Sequence, residues 1–557
     1  MTLTVQPPKH ILVVPVHMWG HVRPLCIASA RMVKLRPTLT LTICVASRMY
    51  DRAKTEIIRD FAQDDKEPLS RIRMVSIYEG KHTLDPESLV DNFLAVWNKL
   101  SSGETVTAKS LDGAEHSVNL HDAPLNAALI DSYAVEIFMA LQKQRESSST
   151  PLHLNIYTWL PVATNCIPPL FGVDSWPLAE AIAEREGISF NDAAHRICAE
   201  PTGRLVDCAG MPPMYDYEYS PQAFPSGPDR CGRIFIKVPR MLAKTDGILT
   251  IDAADYHPEV TAAMRAQLAG TGRKMYYAGP LLANTESGST KQSAHDRAGA
   301  ANGLPAEHGQ QGVFDFMDAQ LKARGERSVM YVSFGSLFWP LDPAKLVAAL
   351  EVVIENNIPF VITRPSPFAQ LPDEFMKKLE EYGQAYIADW VPQQALLHHP
   401  AMGWCLTHGG HNTVLECVTA GVPMIVWPIV MDQPTNAVRL SDGLNVAYEL
   451  VEVRNGHGLG RIYRTGYTPV GTLDAMRDEM RDVLARALGA DGEAKRGRLG
   501  QLREKLLSAW QGPGKGHLEE GSGIGRKEVE AFLDDACARI PFTGGGVAVA
   551  LKLEAGL

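Results

Sequence analysis

The stretch WVPQQALLHHPAMGWCLTHGGHNTVLECVTAGVPMIVWPIVMDQ, from Trp390 to Gln433, concentrates residue types that could bind a nucleotide diphosphate. Within it an apolar run, Gly403 to Thr407, reads as a strand that empties into His408-Gly409-Gly410, and a helix is predicted to start near Asn412 and Thr413. Glycines let a ligand approach the backbone. Asn and Thr suit a helix N-terminus, whose freed amides and positive dipole end bind phosphate. Glu416 falls on the next turn, where a carboxylate can accept two hydroxyl hydrogens from a ribose. Trp390 offers a flat face to a base, and stacking of a base on an aromatic ring is worth about 1–3 kcal/mol. Taken singly, Asp432 reads as a helix cap, and His398 and His399, ahead of Pro400, as packing or capping residues.

Such groups need a rigid frame. Ile11 to Pro15 is a β-branched first strand leading into a loop that holds His17, Trp19, Gly20 and His21, with a helix from about Pro24, a residue suited to a first helical turn. Leu39 to Ala46 and Arg73 to Tyr78 read as buried parallel strands, Asp85 to Thr150 as mostly helical, and Leu152 to Thr158 as a further strand. From Ala283 to Gly312 the chain is rich in Gly, Ser, Ala and Gln and poor in apolar anchors. An interdomain linker is therefore placed at 283–325, between an N-terminal domain (1–282) and a C-terminal domain (326–527). A last segment, 528–557, is expected to be a helix and tail packing back on the first domain. After SVMYVSF (Ser328 to Phe334) a second alternation is predicted: a helix at Pro343 to Asn356 and strands at Pro359 to Thr363, Ala385 to Ile387, Gly403 to Thr407 and Met424 to Trp427. The fold class is thus α/β, two Rossmann-like domains facing each other across a cleft, with ligands outside the carboxyl ends of the strands. NGHGLGR, holding Gly456, Gly458 and Gly460, neither follows a predicted strand nor opens a helix, so it reads as a surface turn and not a dinucleotide fingerprint.

Bulk properties narrow the class. A chain of 557 residues exceeds the about 250–300 that one core supports. With 45% hydrophobic and 21% charged residues it is neither disordered nor fibrous. A net charge of −10 without a basic run argues against a nucleic-acid partner. Nine single cysteines without a CxxC pair read as the reduced thiols of a cytoplasmic protein. The start MTLTVQPPKHILVVP is expected to be a first strand and not a signal peptide, and no stretch approaches the roughly 18 apolar residues of a membrane span. The protein is expected to act as a monomer.

The Trp390 to Gln433 segment closely resembles the donor-binding signature of the UDP-glycosyltransferases, inverting enzymes of the GT-B fold that glycosylate small molecules. Trp390, Gln393, His408, Gly410, Asn412, Thr413, Glu416, Asp432 and Gln433 all fall in register with it. The resemblance implies that Trp390 stacks on uracil while the Val391 backbone pairs with its edge and Gln393 helps hold the nucleoside. It places His408 on the β-phosphate, Asn412 and Thr413 on the α-phosphate and Glu416 on the ribose. Asp432 and Gln433 would read the sugar hydroxyls as a glucose-type pair. Ser336, in VSFGSL, would add a phosphate contact. His411 departs from the pattern, since plant members usually carry Trp there; the position acts largely through its backbone, so UDP binding should persist while sugar choice is put in question. Gly20-His21-Val22-Arg23-Pro24 is similar to the family's Gly-His-x-x-Pro motif, which implies His21 as the base, and His17 lies outside that motif. ILTIDAADYHPEV and YYAGPL resemble the end of the acceptor domain. Between about Arg48 and Arg240, where the acceptor pocket would be built, no resemblance is found; Trp19, Trp159 and Trp339 either line that pocket or belong to the core.

Transfer with inversion needs a base for the acceptor proton and stabilisation of the departing diphosphate. No Asp-x-Asp pair is present to hold a metal, so the helix N-terminus and His408 are expected to serve instead, with the UDP-sugar as co-substrate and no cofactor. The family orients its base through an Asp at the end of the fourth or fifth strand, and LNIYTWLPVA puts Thr158 there. Either Asp122, Asp131 or Asp174 takes that role, or the acceptor is acidic enough to need less help. The expected reaction is transfer of glucose from UDP-glucose to a hydroxyl of a small lipophilic acceptor, a phenolic, sterol or similar compound. The apparent Thr158 replacement keeps open a UDP-sugar-binding protein without transferase activity, and an epimerase of similar fold is a second alternative. A hydride-transferring oxidoreductase is disfavoured because the first strand lacks the glycine fingerprint.

Overall fold

The computed structural model describes residues 8–62, 65–78, 86–147, 154–199, 201–223, 232–282, 308–512 and 523–538. The first domain is built on a sheet of nine strands in the order β11-β10-β7-β6-β1-β2-β3-β4-β5. These are β1 (Lys9–Val14), β2 (Leu39–Ala46), β3 (Ile72–Ile77), β4 (Val106–Ser110), β5 (Glu115–Val118), β6 (Ala127–Asp131), β7 (Asn155–Leu160), β10 (Gly247–Thr250) and β11 (Lys274–Tyr277); a separate two-stranded ribbon pairs β8 (Leu205–Val206) with β9 (Met214–Tyr215). All neighbours in the large sheet run parallel except β3 with β4 and β4 with β5. Strand β1 is buried from Ile11 to Val14, as a central parallel strand covered on both faces must be, which is why its sequence is a continuous apolar run.

The second sheet is parallel throughout, in the order β14-β13-β12-β15-β16-β17: β12 (Val329–Ser333), β13 (Phe360–Thr363), β14 (Ala385–Ala388), β15 (Met402–Thr407), β16 (Met424–Val426) and β17 (Ala447–Glu449). In each sheet the strand order reverses once near the middle, between β1 and β6 and between β12 and β15. Those two switch points open crevices at the carboxyl ends of the strands.

Several expectations are corrected. The helix after β1 spans Trp19–Leu35, so it starts at Trp19 and not near Pro24, and Pro24 lies inside it. Residues 85–150 are not mostly helical: the helices Pro86–Ser102 and Val135–Glu146 enclose β4, β5 and β6, whose runs of four or five residues are too short to show a period. Of the segment read as linker, 283–307 lies outside the described residues, and His308–Arg324 is a helix whose Val313, Phe314 and Met317 enter the core of the second domain. The last helix, Ile524–Ala536, begins before 528 and buries Val529, Phe532, Leu533 and Ala536 among residues of the first domain, while 539–557 lie outside the described residues. NGHGLGR forms a turn that docks against the first domain: a Cβ on Gly458 would meet the Pro221 carbonyl oxygen at 2.1 Å. Among the described residues no helix is long and apolar enough to cross a membrane.

Candidate functional site

On the first domain, His21 stands in the opening turn of the helix that follows β1, and the neighbouring strand β6 ends in Asp131. Parallel neighbours bring their carboxyl ends side by side, so the two side chains meet: His21 Nδ1 lies 3.0 Å from both Asp131 carboxylate oxygens. Asp131 is fully buried and also accepts the Tyr133 amide at 2.9 Å, whereas the His21 side chain keeps 12% exposure toward the cleft. An ionised carboxylate only accepts, so Nδ1 carries the proton and Nε2 presents a lone pair to the cleft, as a general base requires. Trp159 Nε1 donates to the His21 carbonyl oxygen at 3.3 Å, and the Tyr133 ring lies 4.8 Å from the imidazole.

Asp131 is thus the carboxylate beside His21, and the placement of Thr158 in that position is corrected. Thr158 sits on β7, one strand further from β1 and opposite Ile130, and is fully buried. Asp174 is engaged by Arg240, and Asp122 by Asn119.

On the second domain, β15 runs into His408-Gly409-Gly410, with Gly410 capping the helix His411–Ala420. Space around His408 is set by glycine: a Cβ on Gly335, which has φ +73°, would lie 2.8 Å from His408 Cε1, and one on Gly410 would lie 2.6 Å from Nε2. Burial pushes the His408 imidazole down to about 4, against a backbone hydrogen bond with Ser333, so at neutral pH it is uncharged. Gly335→Ala combines strain in a left-handed conformation with displacement of this ring. We expect it to weaken UDP binding about tenfold or more, the cost of one misplaced donor to a charged group, as calorimetry would read.

One contact between the two halves is made possible by Pro24. Lacking an N–H, it leaves the Gly20 carbonyl without its helical partner, and Asn412 Nδ2 from the other domain donates to that oxygen at 2.8 Å. The His21 turn and the amides opening the helix His411–Ala420 consequently face each other across one cavity of about 430 Å³. Ser336, Trp390, Val391, Gln393, His408, Gly410, Asn412, Thr413, Glu416 and Asp432 line this cavity together with His21. Gln433 does not: it is buried, and its Oε1 accepts the Ile429 and Val430 amides at 2.9 and 3.2 Å, so its expected direct reading of a sugar is not what this geometry displays. Trp19 lines the cavity, whereas Trp159 and Trp339 belong to the core.

Sequence reasoning missed the charged residues that the first domain adds. Glu416, 3% exposed, is bonded by Arg23 Nη1 on one oxygen and Gln393 Nε2 on the other, and Arg23 Nε also donates to Glu56 at 3.0 Å. A carboxylate offers about four acceptor sites, so two remain on Glu416 for hydroxyl donors. The Arg52 guanidinium lies 3.7 Å from the Trp19 ring centre and 5.8 Å from that of Trp390. No local pattern announces these partners, because Arg23 and Glu416 are 393 residues apart. On the first-domain side the wall is largely apolar, from Met18, Tyr133, Val162, Ile234 and Phe235.

Residues 299–453 match the family model described as UDP-glucoronosyl and UDP-glucosyl transferase, a span that contains every donor-side residue named above. A UDP-glycosyltransferase, eriJ, of Hericium erinaceus is 27% identical over 535 residues, covering 91% of this chain and 96% of that protein. A flavonoid 3-O-glucosyltransferase of Medicago truncatula is 39% identical over 130 residues, only 23% of this chain and 27% of that protein. The crystal structure of Medicago truncatula UGT71G1 complexed with UDP-glucose superposes with a TM-score of 0.63 at 16% identity, covering 95% of this chain and 99% of that one. At that identity the likeness speaks for the fold, two Rossmann-like domains across a cleft in the GT-B arrangement.

Proposed function

Because this chain belongs to the UDP-glycosyltransferase family, we propose that it moves glucose from UDP-glucose to a hydroxyl of a small lipophilic acceptor, with inversion and without a metal. The observation that carries the reading is a single cavity bordered on one side by the His21–Asp131 pair and on the other by His408 and the amides before Asn412. In this reading Nε2 of His21 takes the acceptor proton as the oxygen attacks the anomeric carbon from the side opposite the diphosphate. The leaving β-phosphate gathers charge beside His408 and against the amides of the helix N-terminus, fixed donors that need no reorganisation. Asn412 and Thr413 hold the α-phosphate, Ser336 adds a phosphate contact, and Trp390, Val391 and Gln393 hold the nucleoside. The ribose hydroxyls donate to Glu416, and Asp432 faces the sugar. The apolar wall around His21 favours a lipophilic acceptor, and a flavonoid glucosyltransferase among the relatives points the same way.

The test is incubation with UDP-glucose and a panel of phenols and sterols, read by mass spectrometry, with the anomer assigned by NMR. A β-glucoside product is expected. Tight UDP binding without any product would favour a binding protein, and conversion of UDP-glucose without acceptor would favour an epimerase. Added chelator is expected to leave the rate intact; strong inhibition that Mg²⁺ or Mn²⁺ reverses would refute the metal-free part.

A further inference from the structure

His411 is bound to the opposite domain. Its Nε2 lies 3.0 Å from Oδ1 of Asp252, which follows β10, and neither side chain has any exposure. Asp252 is itself fixed by the first domain: the Ala253 amide donates to Oδ1 at 2.8 Å, and the Thr164 amide and hydroxyl donate to Oδ2 at 2.9 and 2.6 Å. At its other end His411 donates its backbone N–H to Oδ2 of Asp432 at 3.1 Å, and Asn436 Nδ2 supports the same oxygen at 3.3 Å. A continuous chain of hydrogen bonds therefore runs from the first domain's Thr164 through Asp252 and His411 to the carboxylate at the sugar end of the cavity. A second bridge, Thr435 Oγ1 to Asn165 Oδ1 at 3.2 Å, runs beside it. Burial opposes charge on both groups, but their mutual attraction prevails: the Asp252 carboxyl is held well below its usual range and the His411 imidazole is raised. Removing either partner leaves the other buried without its counterpart.

We propose that Asp252 is a positioning residue for sugar recognition, acting from the first domain through His411 to set Asp432, so that donor selectivity depends on the two domains being docked. The inference rests on the reading above in which Asp432 faces the sugar. The groups expected to hold uracil, ribose and phosphates all stand on the second domain outside this chain of bonds, so the sugar, and not the UDP portion, should register its loss.

Asp252→Asn and His411→Leu, each in the full chain, are to be compared with the parent by calorimetry with UDP and with UDP-glucose, and by kcat and KM for UDP-glucose and UDP-galactose. His411→Leu leaves Asp252 with its Thr164 and Ala253 donors, so it covers the case in which Asp252→Asn fails to fold. The expected result is about a tenfold rise in Kd and KM for UDP-glucose with UDP affinity within about twofold, and a smaller glucose-to-galactose preference. The double variant should be no worse than the stronger single one, because both break the same bond. Equal loss of UDP and UDP-glucose affinity, or unchanged sugar preference in a folded variant, would overturn the proposal. Asp432→Ala separates the two levels: if it leaves UDP-glucose affinity and preference intact, the sugar-facing reading of Asp432 falls; if it alters them while Asp252→Asn and His411→Leu do not, only the role of Asp252 falls.

Discussion

His21→Ala is expected to abolish measurable transfer, lowering kcat by about 10²–10⁴-fold, the contribution of a positioned general base. Affinity for UDP should stay within about a factor of two, because the bonds from this helix start to the donor helix use the Gly20 carbonyl and the Arg23 side chain, which the substitution leaves in place. Among the described residues the polar side-chain partner of the imidazole is the buried Asp131, and the ring stands across the cavity from His408, so its loss should remove proton acceptance without dismantling donor binding. Rapid-quench turnover alongside calorimetry with UDP reads both quantities. Retained turnover would take His21 out of the mechanism, and a parallel collapse of UDP affinity would mean that the turn holds the donor instead.

Asp131→Asn should cost nearly as much, on the order of 10⁴-fold in kcat if the pair behaves as the matching carboxylate does in a serine-protease triad. The substitution preserves size and lets the side-chain oxygen keep the Tyr133 amide, so packing is largely spared. What changes is the proton. With that oxygen occupied, an amide NH2 facing Nδ1 donates where a carboxylate accepted, Nδ1 must become the acceptor, and the hydrogen moves to Nε2, the atom that has to be bare. Thr158→Ser is the natural comparison, since Thr158 lies buried one strand away and its replacement should leave kcat within about twofold. A folded Asp131→Asn variant with more than about a tenth of parental activity would show that His21 needs no orienting carboxylate.

The difference between Asp131 and Thr158 shows where local sequence stops informing. The diphosphate half was legible because its groups are contiguous: one strand, one glycine turn and one helix start carry His408, Gly410, Asn412, Thr413 and Glu416, and spacing alone sets their geometry. The His21–Asp131 half depends on which strand lies beside β1, a non-local fact. β6 is only five residues long, too short for Ala127–Asp131 to display a strand period of its own, so the strand beside β1 is not evident locally. Asp252 lies in ILTIDAADYHPEV, a segment with a family resemblance, yet its partner His411 is 159 residues away. Gln433 illustrates the converse, a residue in perfect register whose side chain caps its own turn.

The helix Ile524–Ala536 also bears on how the molecule is made. Phe532 packs edge-on against Tyr157 and Tyr276, and Lys274 and Arg265 bind Asp535 and Glu528, so this helix is a structural part of the domain that precedes its neighbour in the chain. During synthesis that domain must wait, one hydrophobic surface bare, until the whole of its neighbour has been translated. Final maturation of the first domain is thereby deferred until Ile524–Ala536 has been made, and a nascent chain arrested before Ile524 would be a client for chaperones.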